Sequence, residues 1–172
     1  MVEPDPPRQR TIRWADPAPF EPAARERSGI DILRAIADRS LPWPPIAELL
    51  GFRMPVVEPS HVAFEFDPAE FMYSLLGTVH GGILTVLLDT AMGCAFQTTL
   101  PAGVTYTTIE LKVNFVRPVT ARTGPLRAEG RVIHAGSKIA TAEARLVDVN
   151  GKLYAHSTST LTVVPLSSAP KK

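Results

Sequence analysis

The sequence predicts an α+β domain in which a curved antiparallel sheet wraps one long apolar helix, and three observations carry that prediction. Across residues 71–109, a run of 39, Asp89 is the only formally charged side chain. Inside that run Ile83, Leu84, Val86, Leu87, Leu88, Met92, Cys94 and Phe96 leave no polar face, and a helix apolar all round is one that is surrounded. Downstream, apolar and polar residues alternate with the strand period of two, and one such segment presents the small side chains Ala140, Ala142 and Ala144. That alanine face leaves room for a helix to lie across the sheet while its other face meets water.

Composition bounds the function. At 172 residues the chain suits one domain with a real core. A hydrophobic content of 45% against 20% charged is globular, and a net charge of +1 offers no basic field for nucleic acid or an anionic membrane. The single cysteine, Cys94, excludes an internal disulfide, so a reducing cytoplasm is the expected setting. Nothing in the first ten residues reads as a signal peptide. Asp89 interrupts the longest apolar run, so no membrane span is expected.

Taken in order, residues 1–27 hold six of the 17 prolines within their first 22 positions and read as a flexible tail. Residues 28–50 form a helical extension. Ser28, with Asp31 three positions on, resembles a helix start, and Ile32, Leu33, Ile36 and Ala37 supply one apolar face. Three prolines in 41–45 break that helix, and a second short one over 46–50 ends at Gly51. Residues 51–165 form the main domain, opening with strands over 52–57 and 61–66 around a Glu58-Pro59-Ser60 turn. After the central helix, 108–116 alternates so that Ile109, Leu111, Val113 and Phe115 face one way and Glu110, Lys112 and Asn114 the other. Strands near 126–132, 140–146 and 153–164 follow, the last two joined by an Asn150-Gly151 turn. Residues 166–172 read as a polar tail.

The chemistry concentrates around Asp89. A carboxylate in so apolar a setting is costly unless paired or used. His80, Gly81 and Gly82 sit where the helix begins, and its first turn leaves amide N–H groups without internal partners. Because Gly81 and Gly82 lack a Cβ, a ligand oxygen can approach that backbone, where the helix dipole favours negative charge. Eight residues of helix separate Gly81 from Asp89 by roughly 12 Å, too far for both to grip one carbonyl group. A second copy packed antiparallel brings Asp89 of one subunit to the Gly81 amide of the other and yields two equivalent sites.

These residues resemble the hotdog-fold thioesterases, specifically the PaaI-like branch that hydrolyses phenylacetyl-CoA-like and related acyl-CoA esters. The matching pattern is Asn, two spacers, Gly-x-x-His-Gly-Gly, six spacers and Asp, written here as Ser74, Gly77, His80-Gly81-Gly82 and Asp89. The likeness continues through 105–119, 125–146 and 151–160 and covers about 46–164. It implies a hotdog fold, a homodimer or a tetramer of two dimers, an acyl-CoA substrate, and no cofactor, since coenzyme A belongs to the substrate.

It also implies roles. The Gly81 amide polarises the thioester carbonyl, with Gly82 beside it, and Asp89 of the facing subunit serves as general base or as nucleophile. His80 lines the site or simply shapes the helix entry. Thr107 or Thr108 matches the position that holds the attacking water, and Thr107 is carried as the site residue. Ser74 replaces the family's Asn or Gln. Coenzyme A is expected near Gly136, Ser137 and Lys138 with Arg117 nearby, although Ser137 stands where relatives often have Arg, and a plain hairpin turn fits the same residues. Ser74 and Ser137 together motivate an alternative, an acyl-CoA-binding protein or sensor without turnover. A hotdog dehydratase is disfavoured because its His-Phe-Pro style motif is absent. No metal-ligand spacing and no G-x-S-x-G elbow occur.

Overall fold

A computed structural model describes residues 7–166. Four helices and six strands follow in the order α1 (Phe20–Glu26), α2 (Gly29–Ala37), α3 (Pro45–Leu50), β1 (Arg53–Glu58), β2 (His61–Phe66), α4 (Gly81–Gln97), β3 (Val104–Phe115), β4 (Leu126–Ala135), β5 (Ile139–Asp148) and β6 (Leu153–Pro165). The strands form one antiparallel sheet in the order β1-β2-β4-β5-β6-β3, and α4 lies across it. This is the α+β architecture expected, with the helical extension ahead of it.

Close approach between helix and sheet depends on small residues. Ala128, Ala140, Ala142, Ala144 and Leu146 are all buried beneath α4. Gly130 is indispensable there, because a Cβ at that position would stand 2.1 Å from the Ala91 carbonyl oxygen. Helix backbone therefore rests directly on sheet backbone. Large side chains fill the flanks, among them Phe66, Phe96, Leu87, Leu88 and Leu161.

Local signals act as expected at most boundaries. Ser28 caps α2 through the Asp31 amide, and Gly51 ends α3 at φ 74°. Asn150-Gly151 turns β5 into β6, with Gly151 at φ 77°. Two differences stand out. Within the stretch read as a tail, 20–26 is helical: Ala23 is buried, Phe20 packs on the core, and the Ala24 carbonyl accepts from the Gly103 amide at 2.8 Å. Its prolines hid this, since Pro22 sits in the first turn, where a missing N–H costs nothing. The second difference is a β-bulge between Thr108 and Glu110, where pairing to β6 slips from Thr108↔Leu161 to Glu110↔Thr160. Ile109 is the extra residue and is 56% exposed instead of facing inward with Leu111.

Of the expected C-terminal tail, 166–172, Leu166 donates its amide to Gly103 O at 2.9 Å, and 167–172 lie outside the described residues. No helix among the described residues is long and apolar enough to cross a membrane.

Candidate active site

Helix α4 begins at an unusual cap. His80 adopts an extended backbone, and its Nδ1 accepts a hydrogen bond from the Gly82 amide at 2.9 Å. The cap thus occupies the second helical amide. The first, at Gly81, has no intrahelical acceptor. Backbone bonds hold the approach to this turn: the His80 amide donates to Met72 O at 2.9 Å and the Val79 amide to Val119 O at 2.8 Å. Ser74 fastens the preceding turn, its amide donating to Thr78 O at 2.7 Å while its hydroxyl lies 3.5 Å from that of Thr78.

The Gly81 turn opens onto a cleft of about 320 Å³ whose lining includes Thr78, Phe115 and Arg117. A Cβ on Gly81 would meet the Phe115 ring at 3.0 Å. Glycine therefore lets that ring lie close to the helix start and keeps the amide within reach of a ligand. Arg117 is exposed, and its guanidinium donates to the Leu153 carbonyl oxygen.

Asp89 sits two turns along α4, half-buried, and does not line that cleft. Thr108 Oγ1 donates to its Oδ1 at 3.0 Å. The partner is thus Thr108, whereas Thr107 is exposed. The bulge at Ile109 explains this. Counting back from Leu111 by twos puts Thr107 on the inner face, and one inserted residue reverses the count so that Thr108 turns inward.

Below Asp89 lie two further titratable groups. The Tyr106 ring stacks edge-on against Phe96 with centroids 6.0 Å apart, and only a glycine at 93 admits it, since a Cβ there would stand 2.1 Å from its hydroxyl oxygen. Part of Cys94 reaches the surface, but its thiol is packed against the interior, and that desolvation pushes it up to about 12, with the nearby Asp89 charge adding to the effect. Tyr106 is held well above its ordinary value by burial first and then by Cys94 and Asp89. Both groups stay protonated at neutral pH, and neither is a ready nucleophile. The one signal for the Tyr106 contact in the sequence is Gly93, in the middle of an apolar helix.

The expected coenzyme A residues do not gather within one chain. Lys138 O accepts from the Val163 amide at 2.9 Å, beside the start of β3, whereas the Arg117 amide bonds Tyr154 O at the other end of β6. About nine strand residues, on the order of 30 Å, separate them. Ser137 and Lys138 are exposed, and Gly136 and Ser137 border a separate cleft with Phe96, Leu100 and Val104. Of the apolar residues considered for an acyl pocket, Met72 and Met92 are buried in the core, and Phe71 and Leu75 are exposed. No cluster of His, Cys, Asp and Glu among the described residues could hold a metal.

Residues 76–155 match the family model of the thioesterase superfamily. A protein named as an esterase in Halobacterium salinarum is 41% identical over 73 residues, which cover 41% of this chain and 46% of the relative, so the match spans under half of that relative's length. Among solved structures, a phenylacetic acid degradation-related thioesterase from Ralstonia eutropha is 26% identical and superposes with a TM-score of 0.69 over 75% of this chain and 97% of its own. A Streptococcus mutans protein bound to acetyl CoA shares the fold at 23% identity and a TM-score of 0.61, covering 66% of this chain and 89% of its own.

Proposed function

We propose that this chain, which matches the thioesterase superfamily over residues 76–155 and shares its fold with solved thioesterases, hydrolyses acyl-CoA thioesters at a site shared between two copies, with Gly81 of one and Asp89 of the other. The observation that carries this reading is the separation inside one chain of two complementary groups: an unclaimed helix amide in an open cleft, and a carboxylate elsewhere held by Thr108.

The surface of a single copy supports the pairing. On α4, Ile83, Val86, Thr90 and Cys94 form a stripe that stays half-exposed, although the helix has no polar face. The two sheet edges also differ. β1 is short and carries Pro55 and an irregular register, devices that blunt an edge, whereas β3 runs 12 residues without proline and exposes Ile109 and Phe115. Antiparallel pairing of β3 with its copy fixes a register. Gly81 lies by Phe115 and Asp89 by Thr108, so Thr108 must oppose the second copy's Phe115, and the two-fold axis falls between Leu111 and Lys112. The same register carries Arg117 toward the second copy's Tyr106–Thr107 end, where Thr162 joins Thr107 to Lys138. Arg117, Gly136, Ser137 and Lys138 then flank one route for the diphosphate bridge of coenzyme A.

The reaction follows from this placement. The thioester carbonyl oxygen accepts from the Gly81 N–H, with the Gly82 backbone beside it, and the helix start stabilises the charge that develops there, typically by about 3 to 4 kcal/mol. His80 keeps that turn in shape through its cap, and Ser74 fastens the turn before it. Asp89, oriented by the Thr108 hydroxyl, either takes a proton from the attacking water or attacks the carbonyl carbon itself. Thr107, on the outer face, is left to border the paired strand. On the first route the C–S bond breaks and the proton taken by Asp89 passes to the departing thiolate; on the second the C–S bond breaks to leave an acyl–Asp89 anhydride, which water hydrolyses to free acid while the thiolate takes up a proton, and neither route requires a separate cofactor.

The test is Asp89→Asn. Release of free thiol from acyl-CoA should fall at least a thousandfold while sedimentation shows an unchanged oligomer. Thiol release at the wild-type rate would refute the assignment. Saturable acyl-CoA binding by the wild type without any thiol release would favour the non-catalytic binder that Ser74 and Ser137 bring to mind.

A further inference from the structure

A cleft of about 470 Å³ lies outside the site just described, lined by Arg8, Gln9, Arg10, Glu70 and Phe71. It is built by a segment that precedes the region matched by the thioesterase family. Arg10 sets its guanidinium carbon over the Phe71 ring, 3.9 Å from the centroid. Its N–H donors find no acceptor among the described residues, so the ring contact holds the group in place while its donors stay open to a ligand. Arg8 donates through Nε to Glu70 Oε2 at 2.9 Å, and both partners of this pair are mostly exposed. An exposed pair of this kind is weak and exchangeable.

Two guanidinium groups against one carboxylate, one of them already oriented, form a receptor for a phosphate monoester, which guanidinium binds through paired N–H donors. The cleft is also tied through the backbone to the proposed reaction centre. Phe71 precedes Met72, whose carbonyl accepts the His80 amide, and His80 caps the helix that presents Gly81. We propose that this N-terminal cleft binds the phosphorylated adenosine end of coenzyme A, with Arg10 and Arg8 on its phosphate and Phe71 beneath Arg10 as the platform. The inference rests on the acyl-CoA reading above. Glu70 works against it: the carboxylate repels the incoming phosphate and occupies Arg8.

The experiment compares an acyl-CoA with the same acyl group on pantetheine, which lacks the nucleotide. In Arg8→Ala/Arg10→Ala, kcat/KM for the acyl-CoA should fall about tenfold through KM, while that for the acyl-pantetheine stays within twofold of the wild type. Glu70→Gln should lower KM for the acyl-CoA alone, and added salt should erase much of the difference. An equal loss on both substrates, or no loss on either, overturns the proposal. Should the wild type cleave neither thioester, the thioesterase reading fails separately, and titration with adenosine 3′,5′-bisphosphate still decides this one. Saturable binding that the double variant loses supports the cleft; binding equal in both proteins, or absent from the wild type, overturns it.

Discussion

Thr108 Oγ1 donates to Asp89 Oδ1 across 3.0 Å, tying the central helix to the edge strand of the sheet. A hydrogen bond to a charged group contributes about 1.5–3 kcal/mol, and here it sets the direction of the carboxylate. Thr108→Ala should therefore lower kcat roughly 10- to 100-fold with little change in KM. Thr107→Ala, on the outward face, should leave kcat within about twofold. Steady-state kinetics of the pair checks the assignment, and the reverse order would overthrow it.

The edge itself makes a second prediction. Ile109→Lys places a charge on the exposed bulge of β3 without touching the core. Charged residues on an edge oppose strand pairing. Sedimentation velocity at micromolar concentration should show a shift toward monomer, and thiol release should fall in step. A variant that is monomeric and fully active would end the shared-site account.

Alkaline stability supplies a third. The folded state holds the Cys94 thiol up at about 12, while an unfolded thiol ionises near 9. Folding retains a proton that unfolding releases, so stability is intact below pH 9 and declines as pH rises from about 9 toward 12. The slope approaches about 1.4 kcal/mol per pH unit for that one proton. Tyr106, raised in the same direction, steepens the decline above about pH 10. Urea unfolding between pH 8 and 10.5 should show a shallower fall in Cys94→Ala than in the wild type; parallel curves would contradict it.

A fourth concerns the helix seat. In Gly130→Ala the new methyl would meet the Ala91 carbonyl oxygen at 2.1 Å, so α4 must lift or the strand must bend. Overpacking of that kind costs about 3 kcal/mol. The loss is measurable as a drop in the urea midpoint at constant slope. Asp89 lies two residues from the contact, so activity should fall further than stability alone explains.

Much of the architecture was legible from local pattern. Ala140, Ala142, Ala144 and Leu146 are buried as their alternation implied, because strand periodicity is a property of the backbone that every residue reports. The helix start at Gly81 and the place of Asp89 inside an apolar helix were legible as well, one from a glycine pair, the other as a lone charge in an apolar run. The inward threonine was not. Its facing depends on one inserted residue at Ile109, and a bulge leaves the alternation of apolar letters intact while changing which of them point inward. The N-terminal helix escaped for a related reason. Its stability comes from Ala23 and Phe20 packing on distant residues and from a bond to Gly103, none of which a proline-rich stretch announces. The separation of Arg117 from Lys138 within one chain was not legible either, because distance along the sheet depends on strand order, which sequence spacing does not encode.

The histidine that begins α4 has a consequence for anyone trying to toughen this protein. Aspartate or serine is the conventional choice for that position and would hold the helix more firmly. Aspartate would also park a permanent anion beside the oxygen on which charge must build, so a sturdier fold and a faster enzyme would compete for the same side chain. An imidazole that takes the second amide and leaves the first untouched satisfies both demands, and a screen scored on melting temperature alone would discard it.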